Sequence, residues 1–221
     1  AADGVTTHLG ATVRRISARG TGLAHIELAS GDSVDAQYVL VAAGRRAVTD
    51  GLGLDVAGVA VDAGGNVQTD DTLRTSAAGI FAAGDVTGRL PFTHVADEMG
   101  RIAARNALRR GRARCFDAAA IPWVTFTDPE VARIGLSERD ASGVGGARVA
   151  YLPMTEVDRA IVSDQTQGFV KLIAGRRRLL GNLGGGRILG ATVVAPRAGE
   201  MIHEAALAMR TGMLAAESAF E

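Results

Sequence analysis

The sequence predicts an α/β region of about 118 residues followed by an α+β region, and three observations carry that prediction. Two apolar strands, each ending in Ala-Ala-Gly and a charged residue, recur forty positions apart: "VLVAAGR" closes at Arg45 and "IFAAGD" at Asp85. One long amphipathic helix follows the second of them. Beyond Cys115 the chain turns into short strands with a single helix after them, the arrangement of α+β domains.

Taken in order, "ATVRRISA" and "LAHIELA" have the composition of strands, and Ser30-Gly31-Asp32 turns the chain after the second. "AQYVLVAAG" is a continuous apolar run and is expected to be a strand covered on both faces. A glycine-rich connection from Gly51 to Gly65 leads through "NVQTDDTLRTSAAG" to a predicted strand over Ile80 to Ala83. A helix is expected from about His94 to Arg110, because Val95, Met99, Ile102, Ala103 and Asn106 recur at helical spacing; Gly111 stops it. "PWVTFTDPEVARIGLSE", "RVAYLPM", "GFVKLIAG" and "RILGATVVAP" supply four or five further strands. "AGEMIHEAALAMRTGM" supplies a closing helix, with Met201, Ile202, Ala205, Leu207 and Met209 expected to be largely buried.

Composition narrows the function. With 221 residues, 47% of them apolar, the chain is long enough to bury a real core. Its 24 basic and 24 acidic residues cancel, so no long-range pull on phosphate argues for a nucleic-acid partner. The arginine runs Arg109–Arg110 and Arg176–Arg178 are read as solvated ends of a helix and a strand. One cysteine, Cys115, excludes an intrachain disulfide or dithiol pair within these residues, and no zinc-type cluster is present. No apolar run is long enough for a membrane span and no signal-peptide plan opens the chain, so a soluble, cytoplasmic protein is expected.

Most motif searches fail. "GVGGAR" has Arg148 and "GGGRIL" has Leu189 where a dinucleotide fingerprint needs Gly or Ala. "HEAAL", from His203, lacks the second histidine of a zinc-protease helix, since Leu207 stands there; His203 is read as a packed or interface residue. Asp85 survives. At the mouth of a sheet a carboxylate only accepts hydrogen bonds, which suits sugar or ribityl hydroxyls and repels phosphate. Near Thr93–His94 the N-terminus of the predicted helix offers N–H groups to negative charge. On pattern alone a second reading stays open, in which Asp85 caps the turn after it.

These residues also carry a resemblance. "TSAAGIFAAGDVTGRLPFTHVADEMGR" resembles the second FAD motif of the flavoprotein disulfide reductases. "VLVAAGRR" resembles the motif that closes their NAD(P)H domain, and "IPWVTFTDPEVARIGLSE" the opening of their dimerisation domain. "TEVDRAIVSDQTQGFVKLI" and "VVAPRAGEMIHEAALAMRTGM" are most similar to the mercuric reductase branch, which stands beside dihydrolipoamide dehydrogenase. The likeness covers nearly the whole chain in order.

The resemblance implies the C-terminal parts of two Rossmann-like nucleotide-binding domains followed by an α+β dimerisation domain. Its limits are residues 1–47 for the NAD(P)H part, 48–118 for the FAD part and 119–221 for the interface part. It implies FAD and NAD(P)H as cofactors and a homodimer. Hydride passes from NAD(P)H to flavin and on to a redox disulfide outside this chain, acting on a small molecule or metal ion. Gly84 and Asp85 are implied at the ribityl chain, Pro91, Phe92, Thr93 and His94 bring backbone to the pyrimidine edge, Gly44 contacts the nicotinamide dinucleotide, and the Val124 carbonyl meets its carboxamide. The family's first glycine fingerprint, its C-x-x-x-x-C pair, its second glycine motif and its H-P-T-x-x-E segment find no match here. The chain alone is therefore expected to be inactive, with no catalytic residue and no metal ligand of its own. The alternative expectation is a non-catalytic dimerisation module that has lost the cofactor.

Overall fold

The computed structural model describes residues 4–20, 22–108, 111–176 and 185–213. It divides into two compact units, Ala1–Arg45 and Arg46–Glu221. The first is an antiparallel meander of β1 (Val13–Arg19), β2 (Leu23–Leu28) and β3 (Ser33–Ala36) in spatial order. Arg19 and His25 both bond the Asp35 carboxylate across it, and the His25 ring is the first cause that holds this carboxyl below its usual range.

The expected buried strand after Ala36 is not there. From Gln37 to Gly44 the chain adopts no strand, and Tyr38 and Leu40 are 90% and 91% exposed. Among the described residues no neighbouring strand offers this segment a ladder, and an apolar run without one gains nothing from extended pairing.

The second unit has two cores. In the first, a loop-rich segment closes on helix α1 (Thr93–Leu108). Val95, Met99, Ile102, Ala103 and Asn106 form its buried face, as their spacing predicts, against Leu73, Phe116 and Ile121. Each large apolar side chain so buried contributes roughly 1.5–3 kcal/mol. Asn106 is the polar member, and its amide is fully used. It donates to the Thr72 and Arg114 carbonyls at 2.9 and 2.8 Å and accepts the Arg114 N–H at 2.9 Å. The strand predicted over Ile80–Ala83 shrinks to one bridge, Arg74 to Phe81, because the chain turns immediately into the Gly84–Thr87 3₁₀ turn. The expected end of the helix at Arg109–Arg110 and most of the Arg176–Arg178 run lie outside the described residues.

The second core is an antiparallel sheet in the order β4-β5-β8-β7-β6, from β4 (Trp123–Thr125), β5 (Glu130–Gly135), β6 (Arg148–Pro153), β7 (Phe169–Gly175) and β8 (Arg187–Ala195). Helix α4 (Ala198–Thr211) covers one face. Its contact residues are mostly small, Ala198, Ala205 and Ala206 around Ile202, which lets the helix approach Ala132, Ala191 and Val193 closely. Met201 and Leu207, expected to be buried, are 42% and 58% exposed. Leu207 lies outside the core cluster between α4 and the sheet, and Met201 stands at its edge, bordering a cavity with Val170, Ala191 and Val193. Two short helices were not anticipated: α2 (Glu138–Ala141), started by a Ser137–Asp140 capping box, and α3 (Asp158–Val162).

Candidate functional site

The turn that carries Asp85 is built on α1. Gly84 is buried at φ +80°, a conformation glycine adopts without cost, and a Cβ there would lie 3.1 Å from the Ala96 Cβ. Its N–H donates to the Met99 Sδ at 3.3 Å, and its carbonyl accepts the Thr87 hydroxyl at 2.8 Å. The Gly88 N–H closes the turn on the Asp85 carbonyl at 3.0 Å. Asp85 is thereby held exposed on a turn whose inner side is buried.

The next segment is anchored at Arg89, which donates to Asp71 at 2.9 Å while its guanidinium lies 5.2 Å from the Phe116 ring centre. This fixes the approach to Pro91 and Phe92. The Phe92 carbonyl then accepts the N–H groups of Val95 and Ala96 at 3.1 and 3.0 Å, starting the helix. The N–H groups of Thr93 and His94 belong to the first turn, where no intrahelical carbonyl precedes them.

Those residues open onto a cleft of about 500 Å³ lined by Phe92, Thr93, His94, Trp123, Val124 and His203, among others. Its wall is a row of flat groups. The Phe92 ring stacks with His94 at 5.7 Å and with Trp123 at 6.4 Å, and Arg133 lies over Trp123 at 5.5 Å. His94 Nε2 donates to the Pro122 carbonyl at 2.8 Å, joining α1 to the start of β4. Val124 packs partly against the sheet core, and Glu130 accepts the Gly199 N–H of α4 at 2.9 Å. The arrangement can hold a flat ring against aromatic walls with helix N–H groups facing one edge.

Four of the residues singled out from sequence, Phe92, Thr93, His94 and Val124, meet in this cleft. Gly84, Asp85 and Pro91 do not line it and connect to it through the first turn of α1. Gly44 belongs to the other unit, where it is exposed at φ +100°. The cleft's other lining residues, Pro122, Trp123, Phe126, Ile202 and His203, are outside the site residues expected from sequence, and His203, read there as packed or at an interface, is exposed at the cleft wall. Trp123 had a signal, since it sits inside the quoted "IPWVTFTDPE"; His203 had none, because its helix reaches the cleft only through the tertiary fold. Among the described residues no three histidine, cysteine or acidic side chains gather as a metal site, and Cys115 is a free, exposed thiol.

Comparison with known proteins decides what this architecture is. The family model of the pyridine nucleotide-disulphide oxidoreductases matches residues 1–100, and the model of their dimerisation domain matches residues 121–220. The chain belongs to this family. It is 41% identical over 214 residues to a mercuric reductase of Streptomyces lividans, covering 96% of this chain and 44% of that protein. It is 37% identical over 209 residues to a dihydrolipoyl dehydrogenase of Chlamydia muridarum, covering 94% and 42%. The crystal structure of LpdA from Mycobacterium tuberculosis superposes with a TM-score of 0.84 at 34% identity, over 96% of this chain and 44% of that one. The chain thus spans less than half the length of these relatives. Members of the family use FAD and NAD(P)H, and this chain carries their dimerisation domain.

Proposed function

We propose that this chain forms part of an FAD-dependent NAD(P)H oxidoreductase of the mercuric reductase type, working as a homodimer in the cytoplasm. Its parts are the end of the NAD(P)H domain (1–47), the end of the FAD domain (48–118) and the interface domain (119–221). FAD, when bound, supplies a two-electron relay between a nicotinamide and a disulfide. The protein's share is to hold and orient it.

The observation that carries this reading is the pairing of an exposed carboxylate, Asp85, on a turn that packs against α1 through Gly84, with an aromatic cleft at the first turn of the same helix. The donor set fits the cofactor. A carboxylate would accept from ribityl hydroxyls, and the backbone of Pro91 to His94 would offer N–H groups to the part of the ring that gains negative charge on reduction. Phe92 and Trp123 exclude water from one side of the cleft. The Val124 carbonyl would accept from a nicotinamide carboxamide; in the separate N-terminal unit, Gly44 would leave room at the backbone for a dinucleotide. The names of the relatives point to a mercuric ion as electron acceptor or to a dihydrolipoyl dithiol as electron donor.

The test is a titration with FAD, followed by flavin fluorescence and by the emission of Trp123, the chain's one tryptophan. Asp85→Ala removes a charged acceptor worth roughly 1.5–3 kcal/mol, so affinity should fall about 10- to 100-fold. Equal affinities for the two proteins would sink the assignment.

A further inference from the structure

We propose that the Met99 thioether is a positioning group for Asp85, acting through the Gly84 N–H; this rests on the reading of Asp85 as an acceptor for FAD. A buried backbone N–H needs a partner. Gly84 is buried, and among the described residues its N–H bonds the Met99 Sδ, at 3.3 Å. Sulfur is a weak acceptor, and a methionine in a core ordinarily only fills space. Here the sulfur is held in place, because Met99 is fully buried among Val95, Ile102 and Leu73.

Both sides of the Gly84 residue are fixed from the same stretch of α1. Ala96, three residues before Met99, stands 3.1 Å from where a Gly84 Cβ would be, so the turn cannot move toward the helix. Met99 holds its N–H, and Thr87, whose Oγ1 lies 3.9 Å from the same sulfur, donates to its carbonyl. With the Gly84 peptide groups fixed, the direction in which the next residue leaves the turn is fixed too. That residue is Asp85.

Leucine at position 99 keeps the apolar volume and removes the acceptor; glutamine restores an acceptor at similar reach. In Met99→Leu, amide hydrogen exchange at Gly84 should speed up about tenfold while the α1 amides of Ile102 and Ala103 keep their protection. FAD affinity should fall about 3- to 10-fold, and Met99→Gln should recover both. In an Asp85→Ala background Met99→Leu should cost no further affinity, because the sulfur acts only through that carboxylate. Unchanged Gly84 exchange and unchanged affinity in Met99→Leu would reduce Met99 to a packing residue and overturn the proposal. An equal affinity loss with and without Asp85 would overturn it as well. Failure of the flavin reading is seen separately: Asp85→Ala would then leave FAD binding unaltered, while a deprotected Gly84 amide in Met99→Leu would still support the sulfur contact.

Discussion

His94 Nε2 donates to the Pro122 carbonyl across 2.8 Å, although 28 residues separate them in the chain. The bond ties the first turn of α1 to the residue before β4, and the stacked rings of His94, Phe92 and Trp123 run alongside it. A carbonyl only accepts, so Nε2 carries the proton. The candidate flavin edge and the candidate nicotinamide contact at Val124 are therefore linked by one hydrogen bond and one stack.

Replacing His94 tests that link. His94→Ala removes the bond, worth about 0.5–1.5 kcal/mol, and a ring contact of about 0.5–1.5 kcal/mol, so a total loss near 1–3 kcal/mol is expected. His94→Gln keeps a donor and should lose less. Urea unfolding followed by Trp123 emission reads both; a variant as stable as the wild type would mean that the link carries no load.

Much of this was legible before any coordinates. The buried stripe of α1, the five strands after Pro122 and the Gly84–Asp85 turn all follow local rules of spacing and turn chemistry. The misses have a common cause. Gln37 to Gly44 has the apolar composition of a buried strand, but strand formation needs a neighbour, and composition does not say whether one is within reach. Leu207 and Met201 have the side chains of core residues, but periodicity does not tell which flank of a helix the sheet covers. Met99 was legible as core and illegible as an acceptor, since only the fold brings Gly84 onto its sulfur.

The capping box at α2 should give an acid limb to stability. The Ser137 hydroxyl, and then the Ser137 N–H, hold the Asp140 carboxyl below its usual range. The folded state prefers the charged form, so the contribution is present above an ordinary aspartate value near 3.9 and is lost as pH falls through the lower folded value. The gap in urea midpoint between wild type and Asp140→Ala should accordingly be open at pH 7 and narrow as pH falls below the ordinary aspartate value. A gap independent of pH would show that the carboxylate's charge is irrelevant to the cap.

The exposed side of α4 gives the last prediction. Ile202, Ala205 and Ala206 pack with the sheet, and Met209 packs partly against the same core, whereas Leu207 is 58% exposed. Leu207 also borders a groove of about 340 Å³ shared with His94, Pro122, His203 and Arg210. An apolar residue so placed in a dimerisation domain is expected to meet a second copy, and a two-fold axis buries it twice. Two leucines lost from an interface, at roughly 1.5–3 kcal/mol each, weaken it about 100-fold or more. Leu207→Glu should therefore shift light scattering toward monomer across a concentration series while leaving thermal unfolding of the monomer little changed. Met209→Glu should do the reverse, because it places a charge against the chain's own core. A wild-type chain already monomeric at tens of micromolar, or a Leu207→Glu chain that dimerises as before, would remove this face of α4 from the interface.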